Sequence, residues 1–158
     1  MLDLIRTDSS SKDFRQLIAE LDEYLTIIDG VEHGFYDQYN KLDFKYAIVA
    51  YENQVPVGCG AIKPYDLETV EVKRMYVLPD HRGQGIASAV LKELENWGAA
   101  LGYRKSILET GKRQEEAVAL YRKSGYASIP NFGPYVGIEN SVCFEKLLYP
   151  GEPGIYYK

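Results

Sequence analysis

Residues 77–88 read Val-Leu-Pro-Asp-His-Arg-Gly-Gln-Gly-Ile-Ala-Ser. An apolar strand end runs through a short turn, with glycines at 83 and 85, into a helix with an apolar stripe. Glycine lets the backbone approach a ligand unobstructed and takes φ values that other residues resist. The N–H groups of a first helical turn have no intrahelical partner, and the helix dipole adds partial positive charge there. The chemistry this allows is the capture of a diphosphate by backbone amides. Each charge-assisted hydrogen bond is worth about 1.5–3 kcal/mol, so a set of about four or five would dominate the anchoring of a nucleotide-like ligand.

Three kinds of socket compete for this stretch. A Walker loop requires Lys-Ser/Thr after its last glycine, where Ile86-Ala87 stands. A dinucleotide fingerprint is nearly met by Gly83, Gly85 and Ser88, but it opens a βαβ unit with a tight turn, and the turn from Val77 to Gly83 is long for that. The third pattern, Arg/Gln-x-x-Gly-x-Gly/Ala, is met by Arg82, Gly85 and Ala87.

The elements that must position this socket follow from periodicity. Residues 2–7 read as a strand. Ser9-Ser10-Ser11 offers N-caps to a helix with Phe14, Leu17, Ile18, Leu21 and Leu25 on one side, ending near Asp29-Gly30. A shorter helix is expected over 32–40. Strands at 46–51 and 55–62 form a hairpin around Glu52-Asn53-Gln54. A strand at 69–77 follows, its alternation interrupted by Lys73 and Arg74. The next helix carries Ile86, Val90, Leu94, Trp97 and Leu101 and is stopped by Gly102. After it come a strand at 106–110, a helix at 114–124 with Ala117, Leu120 and Tyr121 on one face, and strands at 126–129 and 141–148. A loop at 130–137 joins these last two. The order predicts one α/β domain with parallel and antiparallel pairing.

Composition narrows the class. A chain of 158 residues, 46% hydrophobic and 26% charged, is one globular domain. A net charge of -5 argues against a nucleic-acid partner, which requires a basic face. No apolar run approaches the ~18 residues of a membrane span, and the first residues lack a signal-peptide pattern, so no membrane partner and a cytoplasmic location are expected. Cys59 and Cys143 are too few for a disulfide framework or a zinc site, and both lie in apolar strand-like runs. Buried free thiols and no metal are expected.

Arg82-Gly-Gln-Gly-Ile-Ala87, preceded by Lys73-Arg-Met-Tyr-Val-Leu-Pro79, resembles motif A of the GNAT superfamily of N-acetyltransferases. Residues 115–126, Glu-Glu-Ala-Val-Ala-Leu-Tyr-Arg-Lys-Ser-Gly-Tyr, resemble motif B. The resemblance implies the acyl-CoA N-acyltransferase fold over residues 1–148, a mixed central sheet of about six or seven strands flanked by about four helices. Residues 149–158 are left as an irregular tail.

It further implies acetyl-CoA as co-substrate and direct transfer of its acetyl group to an amine. The diphosphate would lie on the amides of Arg82, Gly83, Gln84, Gly85, Ile86 and Ala87, next to Ser88. The pantetheine arm would pair like an extra strand with the backbone of Met75 and Val77, which flank Tyr76. Glu71 matches a position used as general base, with a water relay as the alternative. By period two Lys73 faces the same way as Glu71, so a solvated ion pair is the competing reading. Tyr121 matches the motif B tyrosine beside the coenzyme sulfur, where it would act as acid; a core aromatic is the alternative. Gln114 stands where motif B commonly has asparagine, so the asparagine role is not carried over.

His33, Tyr36, Glu71, Phe132 and Tyr135 are the acceptor-side candidates, with a plain loop histidine and ordinary loop packing as the alternatives. Lys112, Arg113, Arg122 and Lys123 read as a solvated basic rim, with contact to the coenzyme 3′-phosphate as the other reading. The expected acceptor is a small-molecule amine. A peptide amine, a non-catalytic acyl-CoA sensor and a nucleotide-dependent oxidoreductase are the alternatives. Dimers are common in the superfamily, so a homodimer is an open expectation.

Overall fold

A computed structural model describes residues 1–29 and 43–148. The helix expected over 32–40 and the tail from residue 149 lie outside the described residues.

Strand β1 (Leu2–Thr7) leads into helix α1 (Lys12–Asp29). Ser11 caps this helix, its hydroxyl accepting the Phe14 N–H at 3.2 Å. Strands β2 (Tyr46–Glu52), β3 (Val55–Pro64) and β4 (Thr69–Val77) continue β1 as an antiparallel meander. Asn53 and Gln54, at φ 51° and 70°, make the β2–β3 turn, the left-handed pair that matches strand twist. A 3-10 turn (Pro79–His81) leads to helix α2 (Ile86–Ala100), then strand β5 (Lys105–Gly111), helix α3 (Glu115–Lys123), strand β6 (Ala127–Ile129), a second 3-10 turn (Gly133–Tyr135) and strand β7 (Ser141–Leu147). The seven strands form one sheet in the order β1-β2-β3-β4-β5-β7-β6. Only β4 and β5 run parallel among these neighbours.

Alternation sends the side chains of β2 into two cores. Ile48 and Ala50 of β2 face α2, against Ile86, Val90, Leu91 and Leu94. Ala47 and Val49 face α1, against Phe14, Leu17, Leu21 and Leu25. This is why β2 is apolar throughout: both faces are covered. Gly60 admits α2 closely, since a Cβ there would lie 2.9 Å from Leu94 Cδ1 and 2.5 Å from Met75 Sδ. Cys59 and Cys143 are buried and free. Leu101, the expected end of the α2 stripe, caps the helix at 42% exposure instead, and Leu91 takes a core place. No described helix is long and apolar enough to cross a membrane.

Candidate active site

The central parallel pair is joined only briefly. β4 and β5 pair at Thr69–Lys105, Val70–Ser106 and Glu71–Ile107, and then diverge. β4 runs on to Val77, and β5 to Gly111, with no strand between them among the described residues. Backbone groups along the freed edge of β4 are available to an extended ligand. The divergence coincides with a bulge: Cys59 pairs with Tyr76 but Ala61 with Lys73, so β4 carries an extra residue. That residue is Arg74, at φ 62°, a left-handed conformation costing a non-glycine residue on the order of 1–3 kcal/mol. The bulge falls where the sequence alternation breaks, and Lys73 and Arg74 are both buried there and both line the inner cavity described below.

A cleft of ≈ 740 Å³ opens from the splayed strands toward the start of α2. Gly83 and Gly85 line it at φ 77° and 80°, and a Cβ at either position would meet nothing within 4 Å. Gly85 is the N-cap of α2 and provides no side-chain cap, so the amides of Ile86, Ala87 and Ser88 keep their donors for a ligand. The open space, the uncapped helix start and the freed strand edge together fit a diphosphate on an amide-bearing arm. Arg82 Nε donates to the Val77 carbonyl at 2.9 Å, while its guanidinium lies 5.1 Å from the Tyr24 ring centroid and 5.6 Å from that of Tyr76. A carbonyl oxygen has two lone pairs, so Val77 retains one for a ligand amide. Arg113 and Lys123 line the cleft; Arg122 instead lies over the Phe144 ring at 5.3 Å.

Past Tyr121 the cleft meets a smaller cavity of ≈ 100 Å³. Leu21, Met75, Gln114, Ala117 and Tyr121 line both. Tyr121 is 6% exposed and packs edge-on to Tyr126 and tilted on Phe144, so the core-aromatic reading and the cavity-wall reading hold together. Burial, with the Glu109 charge adding to it, pushes its phenol above the ordinary range and keeps it protonated.

The smaller cavity is charged. Glu71 and Lys73 line it as a buried ion pair at 3.5 Å, not a solvated one. Lys73 Nζ also donates to the Tyr135 hydroxyl at 3.3 Å. Burial pulls the Lys73 pKa down from its ordinary 10.5, and the Glu71 charge opposes that shift. Two further lining residues were not singled out from the sequence. Glu109 accepts the Ser141 hydroxyl at 2.7 Å. Arg74 donates from Nη2 to Asp22 of α1 at 2.9 Å. The adjacent charges Lys73-Arg74 inside an apolar strand were the available signal for Arg74; nothing local distinguishes Glu109.

Of the acceptor-side candidates, Glu71 and Tyr135 line this cavity. Phe132 stands behind it, edge-on to Tyr135 at 5.8 Å and to Tyr65 at 5.4 Å. His33 and Tyr36 lie outside the described residues. Among the described residues no group of His, Cys, Asp and Glu could hold a metal ion.

A seven-stranded mixed sheet, splayed beside a glycine-rich helix start, defines the acyl-CoA N-acyltransferase architecture. The model of the Acetyltransferase (GNAT) family matches residues 12–126, and the chain belongs to that family. It is 40% identical over 138 residues to the IAA acetyltransferase of Azospirillum brasilense, covering 84% of this chain and 89% of that protein. It is 32% identical over 122 residues to the uncharacterized N-acetyltransferase YjgM of Escherichia coli K12, covering 73% and 72%. Among solved structures, a Klebsiella pneumoniae protein assigned as an acyl-CoA N-acyltransferase superposes with a TM-score of 0.81 at 32% identity, covering 94% of this chain and 99% of that one. A GNAT acetyltransferase of Elizabethkingia anophelis with acetyl-CoA bound shares the fold, with a TM-score of 0.68 at 20% identity over 93% and 98%.

Proposed function

We propose that this protein transfers the acetyl group of acetyl-CoA directly to the amine of a small molecule. The observation that carries this reading is the junction at Tyr121, where a cleft with a glycine cradle and a free strand edge meets a small charged cavity. The diphosphate would rest on the amides from Arg82 to Ala87, and the arm would run along Met75 and Val77. The thioester then reaches the cavity wall at Tyr121.

Supplied with this donor, the site forms one N–C bond and breaks one C–S bond. An acceptor ammonium gives up two protons: one is released to solvent, by way of Glu71 or a water it holds, and one ends on the coenzyme thiol. The Tyr121 phenol, kept protonated by burial, protonates or hydrogen-bonds the departing thiolate. The Val77 N–H is the donor assigned to the carbonyl oxygen as it gains charge. A cavity of ≈ 100 Å³ favours a small acceptor over a peptide chain.

The test is release of free thiol from acetyl-CoA across a panel of small amines, with acetyl-CoA affinity measured by calorimetry on the same preparation. Amine-dependent thiol release supports the reading. Tight acetyl-CoA binding with no amine-dependent release would replace it with a non-catalytic acyl-CoA-binding role.

A further inference from the structure

Arg74 is more deeply buried than any surface or rim role requires. Its side chain is 3% exposed and lines the inner cavity. A guanidinium carries five N–H donors and remains charged in proteins. Among the described residues Asp22 accepts one of them, through Nη2, and Nε and Nη1 are buried with no hydrogen-bond partner. Such donors are uncommon in folded proteins, because a buried unpaired polar group forfeits its hydration without return. The residue is also held at φ 62° on the β4 bulge, so the chain maintains a strained backbone at the position that turns this cation inward.

The other charges of the cavity are arranged differently. Lys73 is engaged by Glu71 and Tyr135, and Glu109 by Ser141. Glu71 and Glu109 sit on the facing strands β4 and β5, where their carboxylates attract an ammonium. The guanidinium has two whole nitrogens, Nε and Nη1, buried without a hydrogen-bond partner. Asp22 takes one Nη2 hydrogen; the second, with the free nitrogen beside it, forms a fork that can grip a carboxylate in two places.

From these residues we infer that the acceptor is an amine that also carries a carboxylate, an amino-acid-like zwitterion, with Arg74 as the group that binds its carboxylate. This inference rests on the amine acetyltransferase reading above and narrows its substrate class. The carboxylate on Arg74 satisfies the spare donors, and the amine end turns toward the carboxylates of Glu71 and Glu109. A simple amine leaves the guanidinium unpaired in the cavity, and sites built to hydrogen-bond a substrate group reject analogues that lack it.

The experiment compares matched acceptors with the unmodified protein: L-alanine, L-serine, L-methionine and γ-aminobutyrate, each against its amide and its decarboxylated amine, by thiol release from acetyl-CoA. At least one carboxylate-bearing member should exceed its amide and decarboxylated partners by about 100-fold or more in kcat/KM. The α-amino amides are more easily deprotonated than the amino acids, so amine basicity alone would push the α-amino acid–amide pairs the other way. Arg74→Gln should remove the preference while calorimetric affinity for acetyl-CoA stays within about threefold. Because Arg74 is buried, thermal unfolding of the variant is measured alongside, and Asp22→Asn serves as a second variant that keeps the guanidinium and should keep the preference.

Equal turnover of acids, amides and plain amines by the unmodified protein would overturn the carboxylate assignment and leave the acetyltransferase reading standing. A folded Arg74→Gln variant that retains the preference would overturn the role of Arg74. Acetyl-CoA binding without turnover of any amine would overturn both readings.

Discussion

Lys73 Nζ lies 3.5 Å from Glu71 Oε2, and both side chains are under 8% exposed. The pair therefore stands out of water at the edge where β4 leaves β5. Desolvation penalises both charges, and each is held by the other and, for Lys73, by Tyr135. A carboxylate so placed can pass a proton only if its neighbour tolerates the change.

Glu71→Gln should lower kcat by about 10²-fold or more, with calorimetric affinity for acetyl-CoA unchanged. A loss of less than about threefold would transfer the base role to a bound water or to Glu109.

Lys73→Met probes the same pair through stability. The folded Lys73 pKa lies below its ordinary 10.5, so between those two values the unfolded chain binds more protons than the folded one. The Lys73 contribution to stability therefore rises as pH climbs through the folded pKa, and levels off near 10.5. Urea unfolding of both proteins from pH 7 to 10.5 should show the variant losing ground to the unmodified protein as pH rises. A constant difference would mean that Lys73 titrates normally.

Tyr121→Phe removes one oxygen from the junction of the two cavities. Turnover should fall about 10²-fold while acetyl-CoA affinity changes little, because the ring that packs on Tyr126 and Phe144 is retained. Burial raises the phenol pKa, so no alkaline limb below pH 10 in the wild-type rate should trace to this group. Turnover equal to wild type would end the acid assignment.

Gly85→Asp places a carboxylate in the cradle at φ 80°, where the space above the backbone is open. The left-handed conformation costs about 1–2 kcal/mol for an L-residue, which a folded domain can absorb. Acetyl-CoA affinity should become undetectable by calorimetry in a protein that still melts cooperatively. Unchanged affinity would overturn the diphosphate cradle.

Cys59 and Cys143 are buried, and burial pushes their thiols up to about 12 and about 11. Neither should react with a disulfide reagent at pH 8 in the native protein, whereas both should react in guanidinium chloride. Rapid labelling of the native protein would show that the sheet opens locally around them.

The element order was legible because it depends on local pattern. Phe14, Leu17, Leu21 and Leu25 define α1, and the apolar run at residues 46–51 defines a strand covered on both faces. The helix expected over 32–40 falls outside the described residues. The β4 bulge was visible only as a flaw in alternation at Lys73-Arg74, because left-handed backbone at an arginine has no compositional signature. The Glu71–Lys73 contact followed from period two, but its burial did not: solvent access depends on what α1 and the Tyr135 loop place above it.

By itself the sequence determined where the proposed donor site lies in this protein. A glycine-bearing turn before an amphipathic helix offers free backbone donors, and those are set by residues adjacent in the chain. Tertiary structure alone assembled the charged cavity proposed for the acceptor. Arg74 meets Asp22 across 52 positions, and Lys73 meets Tyr135 across 62. Only packing brings such residues together. Only packing, too, turns charges that read as surface residues into buried groups with donors left to offer.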